Sequence, residues 1–343
     1  MTSSETVGFA ILGTGMVAEF HRQAIAANAD LGARLVAVAH HDPARFSEIG
    51  ARFEVPCFSQ KRMLADPDVD VVCICTPSGQ HAVQAAAAAR AGKHVLVEKP
   101  MALSLSDADR MMATCERAGV KLGVVLQRRA EPLFRQIWHA IQAGDLGDLT
   151  LGVITMPYHR PQAYYDQADW RGTWALDGGG VLMNQGIHLV DLLVWYMGDP
   201  VDVQASAGTL HRDIEVEDTL AATLRFANGA VATITATTTA APGFPHRVEI
   251  YGTTGGIQVE GESAGRWQVV DPSMAAVAAP QPRPPVDAGA GADPRDIAPS
   301  GHIGILRDFV RALREEREPM VPGREGRRCL ATVLAIYEAA GLL

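Results

Sequence analysis

The sequence predicts an α/β protein: a doubly wound parallel sheet over residues 1–126, then a second α/β domain over residues 127–343 whose strands run mostly antiparallel. Three observations predict it. Apolar strands alternate with helix-length segments as far as Leu126. A glycine-rich turn, Gly13-Thr14-Gly15-Met16-Val17-Ala18, joins the first strand to the first helix. From Val201 to Val270, β-prone runs follow one another with turns and no helices between them. At 343 residues the chain exceeds one ordinary core, and two domains is the default.

Val7–Leu12 reads as the first strand rather than a signal sequence, because no basic segment precedes it. In the turn, Gly13 allows the tight bend and Gly15 lets backbone approach a pyrophosphate. Ala18 lets the helix Glu19–Asn28 pack close to the strand. Thr14, Met16 and Val17 share this cradle, where the helix N-terminus favours an anion. The second strand, Arg34–Ala39, should end in an acid that holds the adenosine ribose. The chain instead reads His40-His41-Asp42. Without the acid a 2′-phosphate meets no repulsion, and Arg45 stands near enough to assist, which leans the cofactor towards NADP(H). The alternative is that His40 only caps a loop. The alternation continues through Arg45–Arg52 (helix), Gln60–Ala65 (helix), Val69–Cys75 (strand) and Gln80–Arg90 (helix). Thr76-Pro77 follows the strand, and His81 is either a cofactor contact or a plain first-turn residue. His94–Pro100, HVLVEKP, places Glu98 and Lys99 at the carboxyl end of a buried strand, where open α/β sheets bind ligands. Ser106–Ala118 reads as a helix capped by Ser106, and Val120–Leu126 as the next strand, with Gln127 at its end.

The second domain opens with the helix Pro132–Ala143 and the strand Leu149–Met156. A loop with Tyr158, Trp170 and Arg171 offers aromatic faces for the C–H side of a sugar, or ordinary packing. Gly178-Gly179-Gly180 would let a substrate approach the backbone before a helix Val181–Met197. On that helix Asn184, His188 and Asp191 stand at i, i+4 and i+7, on one face. Phe226–Val231 is a hairpin turning at Asn228-Gly229. Val231–Thr239, long and uncharged, is either a central strand or one covered by a partner subunit. Residues 271–301 read as a surface excursion, with Ile303–Arg317 and Glu325–Leu342 as closing helices.

A net charge of −9 argues against nucleic-acid or anionic-membrane partners, and no apolar run spans a bilayer. The five cysteines form no CxxC pair and no metal spacing, so no metal is expected and a reducing cytoplasm is the simplest compartment.

These segments resemble the glucose–fructose oxidoreductase/inositol dehydrogenase/MocA family. The resemblance is carried by Gly13–Ala18, Thr76-Pro77 with His81, Glu98-Lys99-Pro100, and Gly178–Gly180 with Gly186, His188 and Asp191. It implies a Rossmann domain, a second domain with a large, open sheet buried in homodimers or homotetramers, and reversible oxidation of a sugar or cyclitol hydroxyl by NAD(P)(H). It also implies Lys99 and His188 as catalytic residues. Relatives that use transient oxidation to cleave glycosides, and relatives that only sense dinucleotides, are the alternatives. Chemically, His188 suits a general base, Lys99 a donor to the developing alkoxide, and Asn184 a positioner. Lys99, Tyr158, Trp170, Arg171, Asn184 and His188 would line the substrate site. Asn184 stands where the family usually has aspartate, and Asn184→Asp is expected to be tolerated.

Overall fold

A computed structural model describes residues 6–281 and 299–343. Two compact units emerge, residues 1–130 with 298–330, and residues 131–297 with 331–343.

In the first unit the described residues form a six-stranded parallel sheet in the order β3-β2-β1-β4-β5-β6. Its strands are β1 (Val7–Leu12), β2 (Ala33–Ala39), β3 (Cys57–Phe58), β4 (Val71–Ile74), β5 (His94–Glu98) and β6 (Leu122–Val125). The helices between them are α1 (Met16–Ala26), α2 (Phe46–Phe53), α3 (Gln60–Leu64), α4 (His81–Arg90) and α5 (Leu105–Arg117). Strands buried on both faces need near-continuous apolar runs, and β4, VVCI, is buried at all four positions. Cys73 and Cys75 lie in this apolar layer, and burial pushes both thiols far up, so they remain protonated. The cap of α5 differs from expectation. Ser104, not Ser106, is extended and accepts the Asp107 N–H at 3.1 Å, so the helix starts at Leu105.

The helix α9 (Ser300–Arg314) belongs to this unit, although the expected boundary at 126/127 assigns it to the second domain. It lies against α1. Asn28 Nδ2 donates to the Ile303 carbonyl at 3.1 Å, Arg307 pairs with Asp30 at 2.9 Å, and Arg314 donates to the Leu31 carbonyl at 2.7 Å.

The second unit holds a seven-stranded sheet in the order β13-β12-β11-β7-β10-β9-β8 among the described residues. It comprises β7 (Leu149–Pro157), β8 (Pro200–Gly208), β9 (Thr219–Phe226), β10 (Val231–Thr237), β11 (Arg247–Gly252), β12 (Gly255–Glu260) and β13 (Ser263–Val269). The β9–β10 hairpin turns at Asn228-Gly229 as expected, with Gly229 at φ 88°. The strand expected as Val231–Thr239 ends at Thr237 and is central, paired on both edges. Its pairing with β7 is parallel, the exception in an otherwise antiparallel sheet. Helices α6 (Pro132–Gln142), α7 (Gln162–Tyr165) and α8 (Ile187–Met197) complete this unit, and α10 (Gly323–Ala339) ends in it. Of the expected excursion, residues 271–281 are described: Ala276 and Val277 donate to the Asp145 carboxylate at 2.8 and 2.9 Å. Residues 282–298 lie outside the described residues, and 300–301 already belong to α9.

Candidate active site

β1 is followed by Gly13 at φ 94°, where an added Cβ would stand 2.6 Å from the Cys75 carbonyl oxygen. Only glycine turns the chain there. At Gly15 the opposite holds: a Cβ would meet nothing within 4 Å, so open space faces the first turn of α1. Thr14 and Val17 are half-exposed and Met16 is exposed around that space, while Ala18 is fully buried under the helix. The strand order places the topological switch between β1 and β4, beside this turn. An open cradle at a helix N-terminus on the switch point fits a pyrophosphate.

At the end of β2, His40 Nδ1 accepts the Asp42 N–H at 3.0 Å, and its ring lies 4.3 Å from that of His41. Burial lowers its proton affinity, so it is a neutral loop brace. Arg45 is paired with Glu48 at 3.1 Å on the surface. The ribose position therefore carries neither a carboxylate from His40 nor an unpaired cation from Arg45.

Thr76 Oγ1 donates to Gln84 Oε1. His81 is buried, its ring nitrogens 2.8 Å from the Pro100 carbonyl and 2.9 Å from that of Thr76, so it links the turns after β4 and β5. Gln127 keeps a buried Oε1 with no hydrogen-bond partner among the described residues.

At the end of β5, Lys99 is half-exposed but Glu98 is only 5% exposed. Glu98 Oε1 lies 2.9 Å from His21 Nε2 and 3.3 Å from His302 Nε2, while Oε2 accepts the Lys99 N–H at 3.2 Å. These donors hold its carboxyl well below the usual range against the cost of burial. Sequence reasoning missed both histidines. The available signal was their place on apolar helix faces, His21 with Ala18 and Ile25, His302 with Ile305, Leu306 and Phe309.

In the second unit the expected helix Val181–Met197 is not uniform. Val181–Gly186 is π-helical and only Ile187–Met197 is α. The expected shared face is only partly kept: Asn184 and His188 are half-exposed, but Asp191, within the regular α-helix, is fully buried. Asn184 Nδ2 donates to Asp177 Oδ1 at 2.8 Å, and Asp177 Oδ2 accepts the Gly172 N–H at 3.0 Å. A carboxylate thus stands behind the asparagine, one hydrogen bond back.

The triple glycine serves the protein rather than an approaching substrate. All three residues are buried. A Cβ at Gly180 would lie 1.7 Å from the Glu217 carbonyl oxygen, and one at Gly179 2.2 Å from the Tyr337 hydroxyl. Glu217, also missed in the sequence, is 1% exposed and accepts N–H groups from Gly180 at 2.8 Å and Leu182 at 2.9 Å. The Tyr337 hydroxyl donates to it at 2.8 Å and accepts the Met183 N–H at 3.1 Å. Burial outweighs these bonds and pushes the Glu217 carboxyl up to about 7. Of the expected substrate-lining residues, Tyr158 is buried with its hydroxyl 2.8 Å from His246 Nδ1. Arg171 stacks 4.7 Å over Trp170 and 4.7 Å over Tyr164, and donates to the Tyr164 hydroxyl at 2.9 Å.

Residues 7–126 match the family described as oxidoreductase family, NAD-binding Rossmann fold, and residues 134–258 match the GFO/IDH/MocA C-terminal domain. Inositol 2-dehydrogenase of Rhizobium meliloti (strain 1021) is 32% identical over 267 residues, 75% of this chain and 76% of that protein. The crystal structure of the WlbA dehydrogenase from Bordetella pertussis in complex with NADH and UDP-GlcNAcA superposes with a TM-score of 0.86 at 35% identity, covering 98% of this chain and 97% of that one. Aldose-aldose oxidoreductase from Caulobacter crescentus gives a TM-score of 0.81 at 29% identity, with 98% of each chain covered. With the open glycine cradle at the switch point and both halves matched, the chain belongs to the GFO/IDH/MocA family of NAD-binding oxidoreductases.

Proposed function

We propose that this protein moves a hydride between a nicotinamide cofactor and a secondary hydroxyl or ketone of a sugar, sugar derivative or cyclitol. Residues 1–126 would hold the cofactor, and residues 127–343 the substrate and the oligomer contacts. The observation that carries the reading is an exception to burial. Lys99 is half-exposed where the β5 residues Val95–Glu98 are buried, and His188 is half-exposed between the buried Ile187 and Leu189. Titratable groups kept accessible on buried elements, at the positions that resemble the family's catalytic pair, fit proton handling.

Gly13–Val17 would hold the pyrophosphate, with Thr76, Pro77, His81, Glu98 and Gln127 shaping the nicotinamide end and His40, His41 and Arg45 the ribose end. The cofactor, when bound, supplies the hydride acceptor for oxidation and the hydride donor for reduction. In oxidation, His188 removes the hydroxyl proton and Lys99 donates a hydrogen bond to the oxygen as charge develops there. Asn184 fixes the hydroxyl, with its amide oriented by Asp177. Trp170 and Arg171 offer an aromatic face and a cation to the ring. The inositol in the name of one relative and the UDP-GlcNAcA bound in the structure of another support this class. Five buried free cysteines suit a reducing cytoplasm.

The test is absorbance of reduced cofactor against a panel of cyclitols, free sugars and UDP-linked sugar acids. Lys99→Ala and His188→Ala should each lower kcat by about 10²–10⁴-fold on the active substrate and keep NADH affinity within a few fold. Near-wild-type turnover in both variants would overturn the assignment. Release of an aglycone without net cofactor reduction would instead indicate a glycosidase.

A further inference from the structure

Arg52, in the last turn of α2, is an exposed cation that hydride and proton transfer leave unused. Its guanidinium is nevertheless held in place. Nη2 donates to the Thr14 carbonyl in the glycine turn, and Cζ lies 4.4 Å over the ring of the buried Phe53. A neutral oxygen and a ring anchor this group without cancelling its charge, and its other nitrogens remain as donors. The acids within electrostatic reach are engaged elsewhere. Glu19 takes a two-pronged pair from Arg22 at 2.9 and 2.6 Å, and Glu48 takes one from Arg45 at 3.3 and 3.1 Å. Those partners hold both carboxyls low, and Arg52 adds to the effect. Asp42 accepts the Ala44 N–H at 2.9 Å, and Glu54 acts on Arg22.

Position gives this charge a target. The helix α2 follows β2, at whose end the adenosine ribose is expected, and Glu48 has both His40 and Arg52 within electrostatic reach. Arg52 therefore comes to Thr14 from the ribose side of the turn. The pyrophosphate belongs on the other side of Thr14, at the open N-terminus of α1 beyond Gly15. A phosphate on the ribose 2′-oxygen carries about −1.5 to −2 charges at neutral pH, and no acid closes β2 to repel it. We propose that Arg52, rather than Arg45, is the cation that receives the 2′-phosphate of NADP(H) and so sets the tolerance for that cofactor. The inference rests on dinucleotide binding at the glycine turn and not on the identity of the substrate.

The test is equilibrium titration of the whole protein, without substrate, with NADPH and NADH. Adenosine 2′,5′-bisphosphate and 5′-AMP serve as a second pair of probes that lack the pyrophosphate. Arg52→Gln keeps a side-chain N–H donor but no charge. It should weaken NADPH and the bisphosphate about tenfold, as loss of a charge-assisted phosphate contact does. NADH and 5′-AMP should stay within about twofold. Arg52→Glu should weaken the two 2′-phosphorylated probes further still. Added salt should weaken NADPH more than NADH on the wild-type protein, and should separate them less on Arg52→Gln. The inference is overturned if Arg52→Gln leaves the NADPH to NADH ratio unchanged, or if it weakens both nucleotides alike, which would give the charge to the pyrophosphate or to the turn. A wild-type protein that binds NADH but not NADPH would overturn it and leave the cofactor assignment standing. Failure to bind either nucleotide would overturn both. Loss of turnover in Lys99→Ala would bear only on the substrate chemistry.

Discussion

At Asn184 the structure reverses an expectation. Read alone, asparagine for the family's aspartate invites Asn184→Asp as a harmless reversion. In the folded chain its amide donates to Asp177 Oδ1 at 2.8 Å, and Asp177 is 4% exposed. Asn184→Asp would set two carboxylates on one contact, and one of them would have to take up a proton. We expect this variant to lower Tm and turnover, and the swap Asp177→Asn/Asn184→Asp to recover much of both, as thermal melts and steady-state kinetics would show. Equal losses in the single and double variants would mean that the pair is not coupled. His40 permits a second prediction. No acid closes β2, so NADPH should bind within about tenfold of NADH, a margin of about 1.4 kcal/mol. His40→Asp should shift the preference towards NAD(H). Wild-type discrimination against NADPH well beyond tenfold, in a fluorescence titration of both nucleotides, would discount the missing acid.

At the scale of the element, the turn Val181–Gly186 depends on Glu217, whose carboxylate takes the Gly180 and Leu182 N–H groups that the helix start leaves unpaired. Burial raises this carboxyl from 4.5 to about 7. Between those values the folded chain holds a proton that the unfolded chain has released. The stabilisation is therefore complete below about pH 4.5 and is lost as pH rises through about 7, a change on the order of 3 kcal/mol. Carboxyls held low, such as Glu98, act below this window. Glu217→Gln should flatten the fall in Tm between pH 5 and 7 relative to wild type, and an unchanged slope would deny Glu217 the role. None of this was legible in the sequence, where Glu217 sits between Val216 and Asp218 in the loop from β8 to β9. The triple glycine was legible as a constraint but misread in its cause, because a close approach by Glu217 and Tyr337 leaves no local signal. The hairpin at Asn228-Gly229 was legible to the residue, because its turn chemistry is local.

Across the whole chain the same division holds. The parallel sheet could be read from its punctuation, since glycine turns and apolar strands alternate at the pitch of the fold. The membership of α9 in the first unit could not, because His302 and Glu98 are far apart in sequence and meet only after the chain has completed the second sheet. The second sheet carries the last prediction. Its outward rows follow from the register. Ser206, Ala221, Thr235 and Thr155 stand side by side across β8, β9, β10 and β7, and Gln204, Thr223, Thr233 and Val153 form the next row. On β8, β9, β10 and β7 these rows are uncharged; charge enters on the next strand, β11, at Arg247 beside Thr155 and Glu249 beside Val153, and beyond the rows at Asp202 and Arg225. Ala221, Thr223 and Thr235 are exposed, so a flat surface of low polarity meets solvent over several strands. A second copy of the sheet would cover it in an isologous dimer, with a tetramer as the pairing of two such dimers. Sedimentation at micromolar concentration should give at least twice the mass of one chain. Thr235→Arg, central on β10, should place like charges against one another at the two-fold and release monomers with Tm little changed. A monomeric wild-type protein, or a Thr235→Arg protein of unchanged mass, would remove this face from the assembly.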